Sequence, residues 1–281
     1  MQIPKELELD WQKTVAYGVN WIKDYFKHAK SKTAIIGLSG GSDSTITACL
    51  TAKALGSKNV IGVLMPEDGI TTSEDILHAE DLVRALNITR KYINITPIIN
   101  QFINTDSDLL KPENKITYAN LKPRIRMILL YKEANKHKGL VVGTDDRSEN
   151  ILGYFTKYGD GGVDINVPEY LYKTQVRKLL DYIAQKENIP VFKQVAEKKP
   201  SPRLWANHTA EEEMNLEYKT VDTVLFYLKD HKKKLTDSQI AKLLKIDMKI
   251  IREIKQREAT NSHKNKIPPS PHVNYSLWFN R

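Results

Sequence analysis

A run of small and hydroxylated residues, Ser39-Gly40-Gly41-Ser42-Asp43-Ser44, follows the apolar stretch Thr33-Ala34-Ile35-Ile36 through Gly37 and Leu38. The residue types are those of an anion-binding loop. A strand ends, two glycines let the backbone approach a ligand, and a helix begins. Backbone N–H groups and the positive helix end then face the anion. Ser39, Ser42, Ser44 and Thr45 add hydroxyl donors. The common phosphate loop, G-x-x-x-x-G-K-[ST], also needs a lysine, but Gly41-Ser42-Asp43 stands where Gly-Lys-Ser is required. A carboxylate repels phosphate unless a cation lies between them, so Asp43 predicts a bridging Mg²⁺. The alternative is that Asp43 only caps the following helix. The residues alone leave both open.

The elements that must carry this loop alternate along the chain. Residues 10–29 form an amphipathic helix with Trp11, Val15, Val19, Ile22 and Phe26 at helical spacing. Strands are expected at Thr33–Leu38, Asn59–Met65, Lys91–Ile95 and Leu140–Gly143. Helices are expected at Ser44–Leu55, with Gly56 as its stop, at Thr72–Leu86, opened by Thr72-x-x-Asp75, and at Ala119–Lys136, with Leu121, Ile125, Ile128 and Leu129 inward. Such repeats specify an α/β fold: a Rossmann-like, doubly wound parallel sheet with helices on both faces. Ligands bind past the carboxyl ends of such strands, where the stretches after Leu38 and Gly143 lie. Four glycines make residues 153–168 a loop, and long loops in compact domains are often functional. A helix at Thr174–Ile183 follows. Thr209-x-x-Glu212 opens a helical C-terminal extension of about 209–260, before a proline-rich tail from 261 to 281. The whole of 1–281 reads as one domain with its core sheet within about 30–195.

Among the 281 residues, no apolar run approaches the ~20 that a membrane span needs. The polar N-terminus carries no signal-peptide core. A soluble, cytoplasmic protein is expected. The net charge of +9 suits a polyanionic ligand, nucleic acid or nucleotide, and equally a lysine-rich solvated surface. The single cysteine, Cys49, excludes a disulfide framework and a cysteine zinc site. It reads as core filler in its helix.

The pattern S-G-G-x-D-S resembles the pyrophosphate-loop ATPases. These cleave ATP between the α and β phosphates, adenylylate an acceptor and hold the departing pyrophosphate in this loop. Further segments narrow the resemblance: KPRIRMILLY (122–131), VVGTDDRSENILGYFTKYGDGG (141–162), LYKTQVRKLL (171–180), KKPSPRLW (198–205) and SHKNKIPP (262–269). From about residue 10 to 272 the chain is similar to ammonia-dependent NAD⁺ synthetases, with GYFTKYGDGG the most specific part. The resemblance implies an adenine nucleotide alpha hydrolase-like fold. It also implies that the nicotinate carboxylate of deamido-NAD⁺ attacks ATP, that pyrophosphate leaves, and that ammonia displaces AMP. Asp43 and Glu149 match the family's Mg²⁺ ligands. Gly37, Leu38, Ser39, Gly40, Gly41, Ser42, Asp43, Ser44, Thr144, Lys173 and Ser201 match ATP positions, with Lys173 on the phosphates. Arg124, Lys157, Asp164, His263 and Lys264 match deamido-NAD⁺ positions. By themselves Glu149 and Lys173 would read as solvated surface charges. The implied assembly is a homodimer with the Arg124 helix at the interface, and a separate glutaminase could supply the ammonia. Three departures bear on the ATP side: Glu213-Met214-Asn215 for Glu-Leu-Gly, Pro202-Arg203 after Ser201, and Pro123 for Ala near the first turn of its helix.

Two other readings compete. Another pyrophosphate-loop enzyme, such as a tRNA thiolase, would need paired cysteines. A nucleic-acid-binding module would use the helix-turn-helix rhythm of 235–258, but that region lacks an Arg/Asn/Gln-rich recognition face.

Overall fold

The computed structural model describes residues 4–198, 201, 205 and 209–268. Five parallel strands form one sheet in the order β3-β2-β1-β4-β5. They are β1 (Ala34–Gly37), β2 (Val60–Leu64), β3 (Thr89–Tyr92), β4 (Leu140–Gly143) and β5 (Ile165–Asn166). Ala34 on β1 registers with Val60 on one side and with Leu140 on the other. Side chains alternate between the sheet's faces. Ala34, Ile36 and Val142 join one core, while Ile35, Ile61, Val63 and Val141 join another.

The first core is covered by α1 (Trp11–His28), α2 (Ser42–Leu55), α3 (Ser73–Leu86), α7 (Lys173–Glu187) and α8 (Pro190–Glu197). The second lies under α4 (Thr96–Thr105) and α5 (Lys115–His137). Between these helices in sequence, α6 (Arg147–Leu152) leaves the end of β4. Asp10 caps α1, accepting from the Lys13 amide at 3.1 Å, and Thr72 caps α3, accepting from the Asp75 amide at 3.1 Å. Helix α2 is buried all round from Ser44 to Ala52, and Cys49 is wholly inside it. A third core binds α9 (Ala210–Met214), α10 (Tyr218–Lys229), α11 (Asp237–Leu244) and α12 (Met248–Asn261) to Leu152 and Tyr172. Ile240, Ile251 and Ile254 are fully buried there, so the helix-turn-helix rhythm serves packing onto the body. Among the described residues, no helix is long and apolar enough to cross a membrane.

Several expectations shift. The third strand runs Thr89–Tyr92, not Lys91–Ile95. It is the edge strand and mostly exposed, so its polar residues give no apolar signal. Ile93 and Ile95 continue the ladder by donating to Leu64 O at 2.9 Å and Pro66 O at 3.0 Å. The glycine-broken loop contains β5, a strand of two residues. Helices α4 and α8 lie where no helix was expected. Ile128 is 60% exposed, not inward. Helix α5 begins at Lys115, so Pro123 is interior and withholds the N–H that the Ala119 carbonyl would receive.

Candidate active site

Strands β1, β4 and β5 are neighbours, and each sends its carboxyl end into the same crevice. The chain leaves β1 toward β2 but returns on the other side at β4. This is the topological switch point where open parallel sheets bind ligands. Asp43 follows β1, Asp146 and Glu149 follow β4, and Lys173 follows β5.

The loop after β1 is shaped by its own hydroxyls. Ser44 Oγ donates to Gly41 O at 3.1 Å and accepts from the Ser39 amide at 3.3 Å, while Ser39 Oγ accepts from the Gly41 amide at 3.3 Å. Gly40 has φ +74°, and a Cβ there would collide with the Asp75 carbonyl at the start of α3. Only glycine meets both demands. Gly41, not Asp43, is the N-cap of α2. The capping alternative for Asp43 therefore falls, and its carboxylate is free to reach across the crevice.

It reaches Lys173. The Lys173 ammonium, 1% exposed, lies 2.9 Å from Asp43 Oδ2, 2.7 Å from Glu149 Oε1 and 2.8 Å from Asp146 Oδ2. The Asp146 contact lacks hydrogen-bond geometry. Asp146 and Glu149 are fixed by α6 itself in a reciprocal capping box: the Glu149 amide donates to Asp146 Oδ1 at 2.9 Å and the Asp146 amide to Glu149 Oε2 at 3.2 Å. Burial alone would lower the Lys173 pKa, but Asp146, Asp43 and Glu149 together hold it well above the ordinary lysine value. Burial first, then the Asp146 charge, raises Glu149 well above the usual carboxylate range despite Lys173. One cation thus faces three carboxylates, so the cluster is short of positive charge.

Asp43, Asp146 and Glu149 each offer a carboxylate oxygen, and these lie within 4.8 Å of one another. Asp43 Oδ1 is buried and has no hydrogen-bond partner among the described residues. A hard, oxygen-only donor set with an unused lone pair fits Mg²⁺.

These residues open on a cavity of about 490 Å³. Of the residues matched to ATP, all but Gly40 line it, including Thr144, Lys173 and Ser201. Gly40 instead packs on α3. Pro202 and Arg203 lie outside the described residues. Of the dinucleotide set, Lys264 alone lines the cavity. Its ammonium donates to Gly153 O at 2.7 Å and Phe155 O at 2.9 Å. Lys157 Nζ donates to His263 O at 2.9 Å, which ties the glycine-rich loop to the last turn. Arg124 and Asp164 are exposed outside the cavity, and Asp164 accepts from Tyr131 OH at 3.2 Å and the Val141 amide at 2.8 Å. Sequence reasoning missed Asp146, whose signal was the Asp146-x-x-Glu149 capping pattern. It also missed Arg126, which lines the cavity and donates through Nε to Met65 O at 3.1 Å.

Comparison with known proteins gives the family. The family described as NAD synthase matches residues 14–268. The NH(3)-dependent NAD(+) synthetase of Pyrobaculum aerophilum is 44% identical over 225 residues, 80% of this chain and 81% of that one. The NH3-dependent NAD synthetase from Campylobacter jejuni, solved with the nitrate ion, has a TM-score of 0.73 and 30% identity, covering 94% of this chain and all of that one. NMN synthetase from Francisella tularensis has a TM-score of 0.78 at 28% identity, covering 95% of this chain and all of that one. With these likenesses along nearly its whole length, the chain belongs to the NAD synthase family.

Proposed function

We propose that the chain amidates deamido-NAD⁺ to NAD⁺, spending ATP and taking nitrogen from ammonia, as a single-domain ligase that forms a carbon–nitrogen bond. The nicotinate carboxylate attacks the α-phosphorus of ATP, pyrophosphate leaves into the loop at 37–45, and ammonia displaces AMP from the adenylylated carboxylate. The reaction needs cations and orientation rather than a nucleophilic side chain. The observation that carries the reading is Lys173, buried among Asp43, Asp146 and Glu149 at the mouth of the phosphate loop.

In this reading the loop amides and hydroxyls hold the phosphates, and Thr144 and Ser201 contact ATP. Lys173 offers its ammonium to the phosphate oxygens. Asp43, Asp146 and Glu149 would hold Mg²⁺, which when bound neutralises phosphate charge. Cys49 is wholly buried and its thiol is pushed up to about 12, so it cannot serve as the nucleophile of a glutamine-hydrolysing site. Within these 281 residues ammonia is accordingly the donor, and a separate glutaminase would be one source of it.

The dinucleotide is assigned to Arg124, Lys157, Asp164, His263 and Lys264, beside a homodimer interface. Arg124, Ile128 and Tyr131 share a face of α5. Tyr131 and Tyr25 of α1 both reach Asp164, and Trp21 stacks beside Tyr25 at 5.6 Å. Ile128, Trp21 and Tyr25 leave large apolar surface exposed around two of the assigned residues.

The test is an incubation with ATP, Mg²⁺, ammonium and deamido-NAD⁺, scored for AMP and NAD⁺ in equal amounts. ADP in place of AMP, or robust turnover with glutamine as sole donor, would overturn the reading. The likeness to NMN synthetase favours one further arm with the deamido form of NMN, and faster turnover there would reassign the preferred substrate.

A further inference from the structure

Helix α7 presents Lys173 as its first residue, so the side chain's place depends on where the helix begins. Tyr172 at its N-cap supplies no side-chain acceptor to the free amides of the first turn. The first two of those amides are met from other helices. The Lys173 amide donates to Ser148 Oγ on α6 at 3.1 Å, and the Thr174 amide donates to Asp222 Oδ2 on α10 at 2.8 Å. Ser148 Oγ in turn donates to Asp222 Oδ1 at 2.6 Å. Asp222 and Ser148 are both wholly buried. One carboxylate therefore joins the first turn of α6, which carries Glu149 next to Ser148, to the first turn of α7, which carries Lys173. A negative charge at a helix N-terminus is also favourable to the helix. Asp222 does not line the cavity, and its nearest hydrogen-bonded atoms are backbone and hydroxyl groups.

We propose that Asp222 is a positioning residue for amidation, holding through Ser148 and the Thr174 amide the two helix starts that set Lys173 against Glu149. This deepens the reading of the Lys173 cluster and rests on it. A group that fixes an ammonium relative to developing phosphate charge acts on turnover more than on ground-state binding. The network also makes a specific demand on substitutes. Asparagine keeps an acceptor for the Thr174 amide and a donor toward Ser148 Oγ, whereas alanine keeps neither.

The experiment compares Asp222→Ala, Asp222→Asn, Ser148→Ala and Val224→Ala in the full chain. Val224 is buried on the same helix and takes part in none of the network's hydrogen bonds, so it reports destabilisation of the core. Asp222→Ala is expected to lower kcat at least 30-fold, with the KM values for ATP and deamido-NAD⁺ within threefold. Asp222→Asn should recover at least a third of the lost factor, and Ser148→Ala should lower kcat about tenfold. Val224→Ala should lower the melting temperature with kcat unchanged below it. If Asp222→Ala does not fold, Asp222→Asn and Ser148→Ala carry the test. Unchanged kcat in Asp222→Ala or, should that variant not fold, in Ser148→Ala, or a loss of kcat in Val224→Ala as large as theirs, overturns the proposal. Lys173→Met separates the two readings. Its full activity would sink the cluster's role, whereas its inactivity beside an unaffected Asp222→Ala would sink only the positioning role.

Discussion

Lys173 is held by more negative charge than it can neutralise, and this has opposite consequences for activity and stability. Asp43→Asn or Glu149→Gln removes one carboxylate from a crowded set while leaving the ammonium paired. Either variant should melt at the same or a higher temperature than the parent and lose at least 100-fold in turnover, because sites of function are often bought with strain. Scanning calorimetry beside the AMP assay checks both halves. Asp222 makes a pH prediction. Burial is the largest cause of its pKa rising to about 7, with Asp146 adding repulsion and the Ser148 hydrogen bond opposing. Its folded value lies above the unfolded one, so the folded state binds the extra proton between about pH 4 and 7 and loses that stability as pH rises through 7. Asp222→Asn does not titrate, so its melting temperature relative to the parent should rise from pH 5 to pH 8. A flat difference would show that the carboxyl ionises normally. At this scale the sequence was informative where a loop has a fixed grammar, as at Gly40 and Asp43. It was silent where a charge matters through its neighbours. Asp146 and Asp222 are ordinary acids until the sheet order brings β4 beside β1 and α10 folds back over α7.

The phosphate loop belongs to a unit of β1, α2 and α3, because Gly40 lies flat against the Asp75 carbonyl. Alanine at position 40 must take a left-handed backbone and intrude on α3. Gly40→Ala should cost about 2 kcal/mol or more of stability. It should also weaken ATP binding more than deamido-NAD⁺ binding, which calorimetric titration with each ligand measures. The elements legible in the chain were those with one apolar face, such as α1 and α3, and those buried on both faces, such as β2. An edge strand reading Thr-Arg-Lys-Tyr gives no such pattern, and β5 is too short to show one. Ile128 illustrates the opposite error. An apolar residue at helical spacing was assigned inward, yet it stands at 60% exposure on a face that none of the described residues covers.

For the whole molecule that uncovered face is the testable feature. If a second copy covers it, Ile128→Glu should shift the protein from dimer to monomer in sedimentation equilibrium. The KM for deamido-NAD⁺ should rise at least tenfold with that for ATP within threefold, since Arg124 and Asp164, assigned to the dinucleotide, border the face and the loop at 37–45 belongs to other elements. A monomeric parent, or a dimer unaffected by the charge, would remove the interface from this surface.

Cys49 lies in the middle of α2, just behind the phosphate loop, with no exposed surface, and is the only thiol in the chain. It is therefore a built-in clock for the opening of the core. A maleimide or disulfide reagent can reach it only when α2 leaves the sheet, so its labelling rate measures how often the body comes apart. Saturating ATP should slow that rate by the factor that its binding free energy sets. The same measurement in the substituted proteins would separate lost chemistry from a loosened core, with no added probe.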